Sequence, residues 1–231
     1  MKRDTWRRLM WVVVFGVTMG FFEAAVVVYL RALNFPKGFQ FPLRPANEMN
    51  PLILAVEIIR EAMSIGMLLA VGMLAGRRGL ERFVLFLCAF GVWDILFYIF
   101  LYLTLGWPSS LATFDVLFLI PIPWIAPVWA PAAIAVLFVV STVIFLVLED
   151  GGRPVQPTRG EWAVAWTGCF IVIASFCLDG PHCMKGGMPR PFQWWWWAMG
   201  LAMGLGAFAR AVARAGRMRD EKPKMKAGLC R

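Results

Sequence analysis

Charge and histidine are what this sequence has least of. Of its 231 residues only 16% are Asp, Glu, Lys or Arg, and the single histidine, His182, lies outside every long apolar run. A soluble domain carries about 25% charged residues, so this chain has too little polar surface to cover its apolar side chains in water. With no histidine in an apolar helix, a haem held by transmembrane histidines is excluded. No phosphate-binding glycine loop, dinucleotide glycine fingerprint or nucleophile elbow occurs, so neither a nucleotide nor a flavin is expected and hydrolase chemistry loses ground. Alternating β-barrel segments are missing too.

Cysteine is sparse, and the five present fit no disulfide framework. Cys88 and Cys169 fall within apolar runs and Cys230 lies in a basic tail, where they read as small apolar residues or free thiols. Cys177 and Cys183 are near each other in one loop, so a disulfide there stays open.

What is present is apolar length. The chain is 60% hydrophobic with mean hydropathy +0.68, and its runs reach the roughly 20 residues needed to cross a bilayer. Spanning segments must satisfy their own backbone hydrogen bonds, so these runs are helices. We place them at about 9–30, 52–75, 83–104, 131–148, 162–178 and 194–213. The fold class is therefore all-α: a polytopic integral membrane protein with a bundle of about six transmembrane helices. One transmembrane domain covers 1–213, followed by a basic cytoplasmic tail at 214–231, which is expected to be partly disordered. The start resembles the basic region of a signal peptide. The apolar run from Leu9 to Leu30 is longer than the roughly 7–15 residues of a cleaved signal and contains Glu23, so it is expected to remain as the first helix.

The stretch 111–130 is apolar but carries Pro121, Pro123 and Pro127, with Pro131 next. Proline removes a donor and clashes with the preceding turn. With Trp107, Trp124 and Trp129 suited to an interface, the stretch reads as re-entrant or surface-lying, before the fourth helix. Charge counting agrees. Lys and Arg number four in 1–8, three in 77–82, two in 149–161 and eight from Arg210 onward. Six crossings put all seventeen on the cytoplasmic side and leave five outside (Arg31, Lys37, Arg44, Lys185 and Arg190). The expected location is the plasma (inner) membrane with both termini cytoplasmic. The formal charge of +9 then reflects topology, not nucleic-acid binding. The expected partners are the bilayer, anionic lipid headgroups at the basic tail, and a homo-oligomer or larger membrane complex. Gly16-x-x-x-Gly20, Gly72-x-x-x-Gly76 and Gly200-x-x-x-Gly204 suit close helix packing, within the chain before between chains. Trp194 to Trp197 suit an aromatic belt.

Ionisable groups inside a bilayer are costly and face a bundle interior or polar cavity. Glu23 lies in the first helix, Glu57, Arg60 and Glu61 in the second, and Asp94 in the third. At about 1.5 Å per residue they fall about 8–15 Å below the outer boundary, in one layer. Within the second helix, Glu57 neighbours both Arg60 and Glu61 along the surface. Four carboxylates against one arginine leave an excess that a bound cation, retained protons or water must relieve. A cation would suit a divalent metal at Glu23, Glu57, Glu61 and Asp94, since carboxylate oxygens favour hard ions. A weaker soft-metal set is Cys177, His182, Cys183 and Met184. Asp115 and Asp179 sit at the outer mouth, where water at a helix end is the plainer reading. Tyr98, four residues beyond Asp94, suits packing at least as well as a proton relay.

The leading expectation is a transporter or permease-like protein that binds a cation or protons at the carboxylate layer, with Arg60 tuning its charge. The alternatives are a membrane-embedded metalloenzyme at the outer leaflet, and a non-catalytic subunit held by an ion-pair network. The sequence alone does not decide whether the chain is an enzyme.

Overall fold

The computed structural model describes residues 1–34, 39–43 and 50–228, with side chains through 217. Lys37 and Arg44, two of the basic residues assigned to outer connections, and Cys230 lie outside the described residues.

Six long helices carry the chain: α1 (Arg3–Asn34), α2 (Pro51–Ala75), α3 (Gly79–Leu105), α4 (Trp129–Asp150), α5 (Arg159–Cys177) and, after the short α6 (Gly180–Cys183), α7 (Trp194–Gly228). Their ends follow local chemistry. Asn50 accepts the Leu52 N–H and Pro51 starts α2, where its missing donor costs nothing. Gly106, at φ 63°, closes α3 in the left-handed conformation. Thr158 and Glu161 form a capping box at the start of α5. Among the described residues, α1, α3, α4, α5 and α7 each contain a stretch long and apolar enough to cross a membrane. The architecture is that of an all-α membrane bundle. The sixth, α2, spans 25 residues and carries Glu57, Arg60 and Glu61. The helical backbone of α7 runs on to Gly228.

Packing is close where glycines allow it. α1 lies on α3 through Gly16 and Gly20, α2 on α3 through Gly72 and Gly76, and α5 crosses α7 at Gly168 and Gly200. These contacts are all within the chain. At Gly91 a Cβ would sit 2.5 Å from the Ala135 carbonyl of α4. Gly91→Val should therefore force α3 from α4 and cost upwards of about 1–3 kcal/mol. Gly66→Ala, with nothing within 4 Å of its Cβ, should be neutral. Thermal unfolding of both in detergent checks the pair, and equal stability would refute the close approach.

One end of the bundle is tied by polar contacts. The Lys2 backbone N–H and Thr5 hydroxyl bind Asp150 at 2.6 and 2.9 Å. Arg8 bonds the Ala75 carbonyl at 3.0 Å and pairs with Glu81, while Arg77 pairs with Asp4. The starts of α1 and α3 and the ends of α2 and α4 therefore share this end. It follows that the connection from Gly106 to Val128 leaves and rejoins the bundle at the other end.

That connection is not helical. β1 (Phe114–Val116) and β2 (Ile125–Pro127) form an antiparallel ribbon, with Asp115 opposite Ala126. Between them, Phe118 stacks on Phe90 at 6.5 Å and meets Trp93 at 6.1 Å. Phe90 is fifteen residues before the end of α3, so the ribbon tip reaches about 22 Å along that helix. Trp124 and Trp129 continue the ribbon's contact into a second core with Phe176 and Trp197. Trp194, Trp195 and Trp196 stay exposed at the start of α7.

Candidate functional site

Away from that polar end, the charged residues of α1, α2 and α3 separate into two clusters joined by the ribbon. In the first, Arg60 reaches across from α2 to pair with Glu23 of α1, and its Nε donates to Glu57 Oε2 at 2.9 Å. The Ser64 hydroxyl lies 3.5 Å from the second Glu23 oxygen. Glu61 points elsewhere: it accepts the backbone N–H of Leu119, at the ribbon tip, at 2.8 Å. A carboxylate about 15 Å into α2 thus holds the inserted tip through a main-chain donor that no side-chain pattern announces.

The second cluster centres on Asp115 of β1. Its Oδ2 accepts from the Tyr98 hydroxyl at 3.2 Å, and its Oδ1 lies 3.8 Å from Arg31 Nη2. Arg31 is itself stacked on aromatic rings, 3.8 Å from the Trp107 centroid and 4.5 Å from that of Phe39. Burial pushes the Asp115 carboxyl up from the ordinary aspartate range to about 6, against the opposing pull of Arg31. Asp94 stands within electrostatic reach of Asp115 and Tyr98. Its Oδ2 is enclosed and has no hydrogen-bond partner among the described residues. Around the ribbon tip the indole N–H groups of Trp93 and Trp124, both in ring contact with Phe118, are likewise buried without acceptors among the described residues.

The structure distributes the residues singled out from the sequence as follows. Asp94 does not share one donor set with Glu23, Glu57 and Glu61; it groups with Asp115, because the fold-back segment brings β1 to α3. Among the described residues no three His, Cys, Asp or Glu side chains converge on a metal position. This applies equally to Glu23, Glu57, Glu61 and Asp94 and to Cys177, His182 and Cys183. Asp115 is buried, not held in water, while Tyr98 is packed in the core. Arg31, assigned to an outer connection, belongs to α1, which extends beyond the apolar run.

In the loop after α5, Cys177 and Cys183 are free thiols. Cys183 Sγ faces Asp179 Oδ2 at 3.7 Å, and the same oxygen accepts the Arg190 N–H at 2.7 Å. The His182 ring packs on the backbone of Gly187. The missed participants are Arg31, Trp107 and the Leu119 N–H. Arg31 alone left a signal, as a charge following an apolar run with no helix breaker between.

No protein-family model, curated protein or solved structure matches this chain.

Proposed function

We propose that this chain is a six-span membrane protein of transporter or permease type, in which a buried carboxylate loads a proton or another cation. Asp94 is the exchanging group. The observation that supports this most is its enclosed, unpartnered Oδ2. Every other acid in the two clusters is engaged: Glu23 and Glu57 by Arg60, Glu61 by Leu119, Asp115 by Tyr98 and Arg31. A half-buried carboxylate with one oxygen enclosed and unpartnered among the described residues is held best with a proton or a cation. The inserted ribbon, held at its tip by Glu61, lies between the helices like a plug and is the element whose movement would open the site.

The test is ion-driven uptake in proteoliposomes, with internal pH dye for protons and fluorescent indicators for monovalent and divalent cations. The wild type should carry one of these ions, and Asp94→Asn, inserted normally, should abolish it. Undiminished flux in that variant would remove Asp94 from the mechanism.

Six crossings place both termini in the cytoplasm of a cell with a plasma membrane of this polarity, since seventeen basic residues then lie inside. A reporter fused after residue 79 or 155 should read inside, and one after residue 187 outside. An inside reading at 187 would overturn the topology.

The engagement of Arg60 by two carboxylates favours a second reading, a non-catalytic subunit of a membrane complex stapled by its ion pairs. That reading predicts co-purifying partner chains and no ion flux from the isolated protein.

A further inference from the structure

Beyond the carboxylate clusters, we propose that the groove between α5 and α7 is a binding site for an anionic phospholipid of the leaflet at the terminal end of the bundle. Gly168 and Gly200 bring the two helices into backbone contact, a Cβ at Gly168 falling 2.4 Å from the Gly200 carbonyl. Further along α7, a Cβ at Gly204 or Gly206 would meet nothing within 4 Å. The helices enclose a groove of about 750 Å³ there.

Its floor is apolar and low, made by Val164, Ala202, Met203 and Gly206, and its rim carries Arg210 and Arg217. An acyl chain fits the floor, where small side chains leave room for it. The two arginines are seven residues apart, close to two helical turns, and so share one face of α7. Between them, Arg214 is already used: it holds both Glu161 oxygens, at 2.7 and 2.6 Å, and the Gln156 carbonyl at 2.9 Å. That bridge cancels the one acidic charge lining the groove. Arg210 and Arg217 are exposed and have no ion pair or hydrogen bond among the described residues. A basic rim over an apolar slot, between helices at the end where basic residues collect, complements a phosphodiester with its acyl chains attached. Inorganic phosphate would use the arginines but not the floor.

The experiment measures thermal unfolding of the purified full-length protein in neutral detergent as phosphatidylglycerol, phosphatidylcholine or inorganic phosphate is added. The proposal expects phosphatidylglycerol to raise the wild-type midpoint and the other two additives to leave it unchanged. Arg210→Gln/Arg217→Gln should bind phosphatidylglycerol about thirty-fold more weakly, at the strength usual for two basic groups at an anionic surface. Gly206→Leu keeps both arginines but fills the floor, and should lose the same response. Its open surroundings make it tolerable, so it keeps the test informative if the double variant folds poorly. An equal response to inorganic phosphate, or a full response in Gly206→Leu, would overturn the site.

Discussion

Replacing Arg60 with glutamine should leave little stably folded protein. The substitution strands Glu23 and Glu57, both largely buried, without the guanidinium that joins α1 to α2. Removing one partner of a buried ion pair costs about 3–5 kcal/mol, because the remaining charge is uncompensated, and that is a large part of a typical folding free energy of about 5–15 kcal/mol. The triple variant Glu23→Gln/Glu57→Gln/Arg60→Gln keeps the shapes and removes every charge. It should recover most of the loss, since neutral replacement of a whole buried network is often near neutral. Monodispersity on size exclusion and the unfolding midpoint in detergent measure both. The exposed pair Arg77–Asp4 makes the contrast: Arg77→Gln should cost no more than about 1 kcal/mol. An Arg60→Gln protein as stable as wild type would show that the inter-helix pair holds nothing together.

The second large effect is expected at Arg31, and it should depend on pH. Asp115 titrates at about 6 in the folded chain, raised by burial from 3.8. The folded state therefore binds its proton more tightly than the unfolded state does. The stability that this group contributes is present below about pH 4 and is lost as pH rises through about 6. Above that, Asp115 is a buried anion beside Arg31. Arg31→Gln should then cost about 1.4 kcal/mol more at pH 7 than at about pH 4, because the carboxyl left without Arg31 keeps the proton it otherwise loses at about 6, and one pH unit is worth about 1.4 kcal/mol. Asp115→Asn should remove the difference between the two pH values, and Arg31→Gln/Asp115→Asn should be nearly insensitive to pH over that window. Unfolding midpoints of the four proteins at both pH values test this. A loss in Arg31→Gln of equal size at both would mean that Arg31 acts through its stacking on Trp107 and Phe39, not through charge.

The helices were legible because apolar length leaves few alternatives in a bilayer. Each of the six long runs in the sequence coincides with a helix, and the disagreements lie at the ends. Arg31 belongs to α1 because nothing in Val26–Leu30 stops the helix, and a charged residue after an apolar run looks the same from sequence whether it enters water or turns inward. The prolines of 111–130 correctly ruled out a straight helix. They could not say that the segment pairs with itself as a ribbon and inserts its tip beside Phe90 and Trp93. That insertion sets how the charged residues are grouped. Depth along each helix placed Glu23, Glu57, Arg60, Glu61 and Asp94 in one layer, but depth carries no information about azimuth. Glu23 and Arg60 do meet. Glu61 turns to a backbone donor from the ribbon, and Asp94 lies within electrostatic reach of Asp115, a residue whose burial depends wholly on the fold-back. Spacing within a helix is a local signal, whereas Leu119 comes to Glu61 from 58 residues away and Asp115 to Tyr98 from 17.

The central claim is that Asp94 is a loading site and not merely a buried acid. Infrared difference spectroscopy of the protein in lipid, recorded as external pH is stepped, reads carboxyl protonation directly. The account predicts a carboxyl band that rises and falls with the step, is absent from Asp94→Asn, and persists in Asp115→Asn with a changed pH dependence. An identical set of bands in wild type and Asp94→Asn, with both proteins folded, would contradict it.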